Sequence, residues 1–136
     1  AVMLIRAYRS NGHLLAALDP LALEAPDLHP ELDPATYGFG DADWERPIFI
    51  DNVLGLETAT LTEIIARLRQ TYCGTIGVEF MHVQDPKQKA WIQERIESIN
   101  NQTDFTLRGK SAIYERLVEA DAFGKYLHKK FRGAMG

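Results

Sequence analysis

Five prolines, Pro20, Pro26, Pro30, Pro34 and Pro47, fall in one stretch of this 136-residue chain and decide what that stretch can become. Each removes an amide donor and biases the residue before it away from helical backbone. Residues 19–59 therefore read as extended, irregular chain. The same stretch carries Leu21, Leu23, Leu28, Leu32, Tyr37, Phe39, Trp44, Ile48, Phe49, Ile50 and Leu54, too many large apolar groups to leave wet. It reads as a segment pinned across a partner surface, with one-turn helices at residues 30–33 and 42–45. A loop this long in a compact domain is often functional or an interface. It is expected to cover helices and to leave an apolar patch beside it.

Helical patterning brackets this segment. Val2, Ile5 and Tyr8, with Leu4 and Ala7 beside them, place an apolar face on the opening residues. No capping residue precedes them, although the first four N–H groups of a helix need partners. The absent start signal predicts a chain cut from something longer. Gly12 is placed to end this helix as a left-handed C′ residue. Thr60-Leu61-Thr62-Glu63 is a capping box, and Leu61, Ile65, Leu68 and Tyr72 form one face of the helix it starts. Gly74 closes that helix. Residues 75–83 are β-branched and aromatic, short and bounded by Gly74 and Asp85-Pro86, and read as a strand or extended segment. Asp85 as N-cap with Pro86 at the first helical position opens a helix to about Ile99. In it Ile92, Ile96 and Ile99 read as buried. Residues 100–104 form a turn, Thr106 begins a helix carrying Ile113 and Leu117, and Asp121 caps a last one with Phe123, Tyr126, Leu127 and Phe131. The fold expected is mainly α: one small helical domain over residues 1–136, truncated at both ends. It has a long irregular proline-rich loop and one short strand or extended segment.

Charge narrows the function classes. Residues 1–60 hold ten acids against three bases, and residues 61–136 nine against twelve. The basic excess gathers in Lys125, Lys129, Lys130 and Arg132, where a helix C-terminus favours cations through its dipole. A nucleic-acid surface needs more charge with interleaved aromatics, so no nucleic-acid partner is expected. No apolar run reaches the roughly 18 residues of a membrane span, so no membrane partner is expected either. Cys73 is the only cysteine, which forbids an intrachain disulfide and fits a reducing compartment. Its position at a helix end disfavours the thiolate, and an inert thiol is expected.

Few residues offer chemistry. His13, His29, His82 and His128 lie far apart without H-x-x-x-H or C-x-x-C pairing, so no metal site is expected. Neither Gly38-Phe39-Gly40-Asp41 nor Gly74-Thr75-Ile76-Gly77 has the spacing of a phosphate loop. Arg6 and Arg9 share a helical face with His13 one turn on, which makes a conceivable anion site. Salt bridges to the acid-rich loop that follows are the simpler reading. In a strand over residues 75–83, Glu79 faces away from His82, so the two form no local dyad. His82 shares its face with Ile76, Val78 and Phe80. It is expected partly buried, hydrogen-bonded and neutral by desolvation, a structural residue. The polar candidates are thus Arg6, Arg9, His13, Glu79 and His82, with no catalytic, cofactor-binding or metal residue assigned.

Eight short motifs follow one another in order. They are Leu4-Ile5-Arg6-Ala7-Tyr8-Arg9, Gly12-His13, Leu18-Asp19-Pro20-Leu21, Glu31-Leu32-Asp33-Pro34, Arg46-Pro47-Ile48-Phe49, Gly77-Val78-Glu79-Phe80-Met81-His82, Lys89-Ala90-Trp91-Ile92-Gln93 and Phe123…Tyr126-Leu127-His128. That order resembles the decarboxylating, thiamine-diphosphate-dependent component of the 2-oxoglutarate dehydrogenase complex, in the helical region between its N-terminal tail and its cofactor-binding core. The resemblance covers residues 1 to about 132. Ala22 stands where the family usually has glycine, which is expected to stiffen that turn. Gly124 sits inside the last helix at a cost of about 1 kcal/mol. Gly133-Ala134-Met135-Gly136 replaces the family's basic-aromatic, glycine-rich continuation towards the active site. The family's Gly-Asp-Gly cofactor motif is absent, since Gly40-Asp41-Ala42 lacks the third glycine.

The resemblance implies a parent enzyme that decarboxylates 2-oxoglutarate with thiamine diphosphate and magnesium and passes the succinyl group to a lipoyl carrier, a step of the tricarboxylic acid cycle. Its partners are the remainder of the same enzyme, its homodimer mate and the dihydrolipoyl succinyltransferase core. Its place is the bacterial cytoplasm or the mitochondrial matrix. The segment itself is expected to be structural, with no cofactor and no activity alone. The alternative from the residues is a free-standing helical adaptor that binds a protein partner without chemistry.

Overall fold

The computed structural model describes residues 1–23 and 29–131. The expectations for Pro26, Leu28, Arg132 and Gly133-Ala134-Met135-Gly136 lie outside the described residues. The protein is mainly α. Among the described residues run four α-helices: α1 (Val2–Asn11), α2 (Leu61–Tyr72), α3 (Pro86–Ser98) and α4 (Leu107–Lys130). Two short strands, β1 (Ile48–Phe49) and β2 (Thr58–Ala59), pair antiparallel with Ile48 opposite Ala59. The chain forms two units, Ala1–Gln102 and Thr103–Gly136.

In the first unit α1 and α2 supply most of the core. Leu4, Ile5, Ala7 and Tyr8 are buried on α1; Leu61, Ile64, Ile65, Leu68, Thr71 and Tyr72 are buried on α2. Each fully buried aliphatic side chain contributes about 1.5–3 kcal/mol, so this interface is the main source of stability. Val2 was expected on that face and is exposed, because 3.6-residue periodicity turns it past the edge of the stripe. The capping box forms as read: the Glu63 amide donates to Thr60 Oγ1 at 3.2 Å and the Thr60 amide to Glu63 Oε2 at 2.8 Å. These bonds hold the Glu63 carboxyl below the usual carboxylate range. Asp85 caps α3 in the same way, its Oδ1 accepting from the Lys87 amide at 2.8 Å with Pro86 first in the helix.

Gly12 has a different role from the one its position advertised. Its backbone is right-handed, with φ −60° and ψ −29°, and the chain continues as a 3₁₀ turn over Gly12–Leu15. Contact, not conformation, requires glycine here. A Cβ at this position would sit 2.6 Å from the Cβ of Tyr72. α1 and α2 therefore approach each other at a point where only a hydrogen fits.

The proline-rich segment is anchored, as its composition required. It winds through 3₁₀ turns at Pro30–Leu32, Pro34–Tyr37 and Asp41–Asp43. Leu32, Ile50 and Leu54 enter the core, and Tyr37, Phe39, Ile48 and Val53 pack partly buried against it. The Tyr8 hydroxyl donates to the Leu32 carbonyl at 3.3 Å, pinning the segment to α1. Leu21, Leu23 and Phe49 stay exposed.

Ala22 gives one local conflict. Its φ is +48°, in the left-handed region that costs a residue with a Cβ about 1–2 kcal/mol. The turn is held by Asp19, whose carboxylate accepts from the Leu21 and Leu23 amides at 2.9 and 2.7 Å. Alanine strains this turn, whereas it was expected only to stiffen it. Ala22→Gly is expected to stabilise the chain by about 0.5–1 kcal/mol, the strain relieved exceeding the unfolded-state entropy glycine adds. Equal or lower stability in urea titration would refute this.

Residues 75–83 form no strand. The segment is irregular, and the chain's only described strand pairing is β1 with β2. A lone β-prone run has no neighbour to complete its ladder, so side-chain anchoring decides its course. Phe80 is buried and stacks on Tyr72 with ring centroids 6.4 Å apart, while Ile76 is exposed. In α3, Ile92 and Ile96 are partly buried, but Ile99 lies past the helix end and is exposed.

In the second unit α4 runs unbroken for 24 residues from the Thr106 cap, whose Oγ1 accepts from the Gly109 amide at 3.1 Å. Asp121 was expected to start a new helix. It lies inside α4, where it accepts from Lys125 Nζ at 2.6 Å, an i,i+4 pair that suits a continuing helix. Gly124 is helical with open space around it. No residue of α4 is buried, and Ile113, Tyr114, Leu117, Val118, Phe123 and Tyr126 are exposed.

Candidate functional site

The buried polar centre of the first unit lies where three helices converge. Arg9 stands beside Tyr8 at the edge of the α1 stripe, Tyr72 ends α2, and Glu97 lies in the last turn of α3. The Arg9 guanidinium donates through Nε to Glu97 Oε1 at 2.7 Å and through Nη2 to Oε2 at 3.0 Å. The Tyr72 hydroxyl donates to the same Oε1 at 2.6 Å. The Arg9 and Glu97 side chains are 15% and 10% exposed, so the pair is largely withdrawn from water. A carboxylate in the last turn of a helix faces the negative end of its dipole, and the arginine fork offsets this. Burial, reinforced by the Glu97 bond, pushes the Tyr72 hydroxyl well above its ordinary range. For Arg9, burial acts to lower the pKa, but the hydrogen bonds and charge of Glu97 leave it raised.

Beside this triad lies a cavity of about 440 Å³, lined by Arg9 and Glu97, by Arg67 of α2, by Gln93 and Glu94 of α3, and by residues 51–55. Asp51, Asn52 and Leu54 have φ of 50°, 58° and 61°, and Gly55 has 71°. Three left-handed residues with a Cβ are costly, and the burial of Leu54 holds the loop in this shape. Arg67 Nε is buried without a hydrogen-bond partner.

The structure distributes the sequence candidates over separate places. Arg9 pairs with Glu97, 88 residues away, and not with the acid-rich loop expected to hold it. Arg6 is exposed and lines a shallow groove with Glu31 and Tyr37. His13 Nε2 comes within 3.7 Å of Glu79 Oε1, beyond hydrogen-bond distance, and His13 Nδ1 is buried without a partner. Arg6, Arg9 and His13 therefore form no common anion site. His82 is exposed, where partial burial was expected, because without a strand no alternation carries it inward. Sequence reading missed Glu97, Tyr72 and Arg67 as site residues. Nothing in the local sequence pointed to Glu97, which lies about 100° round the helix from Ile96 with Glu94 one turn before it. Among the described residues no group of three or more His, Cys, Asp and Glu side chains is placed to hold a metal ion. No helix among them is long and apolar enough to cross a membrane.

No family model matches the chain. Its likeness is to a segment of a dehydrogenase component. In particular, it is 57% identical over 134 residues to the 2-oxoglutarate dehydrogenase E1 component of Brucella anthropi. It is 56% identical over the same length to the E1 components of Brucella canis and Brucella suis. Each match takes in 98% of this chain, which spans 13% of the relative's length. The resemblance carried by the eight motifs thus extends along almost the whole chain.

Proposed function

We propose that this chain is a structural, interface-forming segment of a 2-oxoglutarate dehydrogenase E1 component and performs no chemistry alone. The longer enzyme would decarboxylate 2-oxoglutarate with thiamine diphosphate and magnesium and transfer the succinyl group to the lipoyl arm of the complex's acyltransferase core. The bacterial relatives support a cytoplasmic setting. The residues here do not fit that cofactor. The cavity beside Arg9 offers one unpaired guanidinium among the carboxylates of Asp51, Glu94 and Glu97, a balance that repels a diphosphate.

The observation that carries the interface reading is α4. Its apolar residues form two faces. Ile113, Tyr114, Leu117 and Val118 share one side of the N-terminal half. At 100° per residue, the exposed Phe123 and Tyr126 lie on roughly the opposite side, in the C-terminal half. A helix with two offset apolar faces, none buried, suits insertion between two surfaces. The remainder of the enzyme and its homodimer mate are the proposed surfaces. Paired Ile113→Glu and Leu117→Glu substitutions in a full-length E1 component are expected to reduce the assembled, active enzyme more than tenfold. Unchanged assembly by light scattering, with unchanged turnover, would refute the interface role.

A further inference from the structure

We propose that the cavity between α1, α2, α3 and residues 51–55 binds a small carboxylate that also carries a hydrogen-bond donor, an α-amino or α-hydroxy acid, with Arg67 holding the carboxylate. This assigns a ligand to a place that a purely structural role leaves unused. Three observations lead to it. First, the Arg67 side chain takes part in no hydrogen bond or ion pair, and its Nε is buried. That Nε is closed off from any ligand, so the two Nη groups of this cavity-lining arginine, which have no protein partner, are the donors left for an acceptor. Arg9 does not compete, because its Nε and Nη2 are committed to Glu97.

Second, the guanidinium fork matches a carboxylate through two parallel N–H···O bonds, a geometry that a lone ammonium cannot offer. Third, the other lining charges select among anions. Arg9 and Glu97 cancel, leaving Arg67 against Asp51 and Glu94, a net charge of −1. A dianionic phosphate meets two carboxylates and gains one guanidinium, so it is disfavoured. A carboxylate bearing such a donor is held at both ends: its anionic end takes Arg67, and its ammonium, by charge and hydrogen bond, or its hydroxyl, by hydrogen bond alone, donates to Asp51 or Glu94. The left-handed loop helps by turning Asp51 and Asn52 to the cavity edge while Leu54 anchors it in the core. A volume of about 440 Å³ admits such a ligand together with water.

The test is titration of the ¹⁵N-labelled chain with L-alanine, L-lactate, acetate and inorganic phosphate, followed by amide shifts. Saturable shifts in residues 51–55 and 93–98 are expected with alanine and lactate, and at least tenfold weaker binding with acetate and phosphate. Arg67→Lys keeps the charge and loses the fork; it should weaken alanine binding about tenfold with an unchanged far-ultraviolet spectrum. Glu94→Gln, at an exposed position that leaves the core intact, should improve phosphate binding relative to alanine. Arg6→Gln, on the separate groove, should change nothing. The proposal is overturned if none of the four probes gives saturable shifts, if phosphate binds as tightly as alanine, or if Arg67→Lys and Glu94→Gln both leave the affinities unchanged.

Discussion

Glu97→Ala is expected to destabilise the first unit by about 3–5 kcal/mol, measured as a lowered midpoint in urea unfolding. The carboxylate accepts two bonds from Arg9 and one from Tyr72. Removing it strands a guanidinium that is 15% exposed and a buried hydroxyl, and each keeps its desolvation cost without a partner. The loss is large against the 5–15 kcal/mol that holds a typical domain together. The paired variant Arg9→Met/Glu97→Leu should recover part of it, because no buried charge is then unpaired and only the Tyr72 hydroxyl still lacks its partner. Glu97→Gln should fall between, keeping an acceptor for Tyr72 but losing the charge. A Glu97→Ala variant within about 1 kcal/mol of the parent would show that the triad lies open to water.

Gly12→Ala should cost about 2–3 kcal/mol or more, and two opposing effects make it diagnostic. The Gly12 backbone is right-handed, so alanine is conformationally better by about 1 kcal/mol. Against that, the new Cβ would meet the Cβ of Tyr72 at 2.6 Å. That atom is tied to the α2 backbone and cannot swing aside, so the helices must separate. Overpacking in a core typically costs about 1–3 kcal/mol, and here separation also pulls the Tyr72 hydroxyl from Glu97. The clash wins. Thermal unfolding settles the sign, and a rise in Tm would mean that the helices can slide past the added methyl.

These two sites also show where sequence reading succeeds and where it stops. Helix starts were legible at Thr60, Asp85 and Thr106 because a cap and its partner lie within three residues and need nothing distant. In the proline-rich segment the one-turn helix at Pro30–Leu32 was legible and the one expected at residues 42–45 lies at Asp41–Asp43, whereas those at Pro34–Tyr37 and Val53–Gly55 were not read. At residues 75–83 only the strand alternative failed, since composition gives strand propensity but not the neighbouring strand that propensity requires. Asp121 was misread because an acidic residue suits an N-cap and an i,i+4 pair equally well. Gly12 was located correctly and given the wrong cause: sequence offers glycine's backbone freedom as the first explanation, whereas close approach to Tyr72 emerges only in three dimensions. The Arg9–Glu97 pair joins residues 88 apart, and no local pattern selects Glu97 from the other acids.

Those partners also set an order in time. α1 finds its contacts at Leu32, Tyr72 and Glu97, successively farther along the chain. During synthesis at about 5–20 residues per second, Glu97 is made roughly 4–18 s after Arg9. Until α2 has been made, Leu4, Ile5 and Tyr8 lack the helix that covers them, and a ten-residue helix is marginal alone in water. The nascent chain is then at its stickiest, and a chaperone acting on it would be expected to hold α1 and to release it once α2 has emerged.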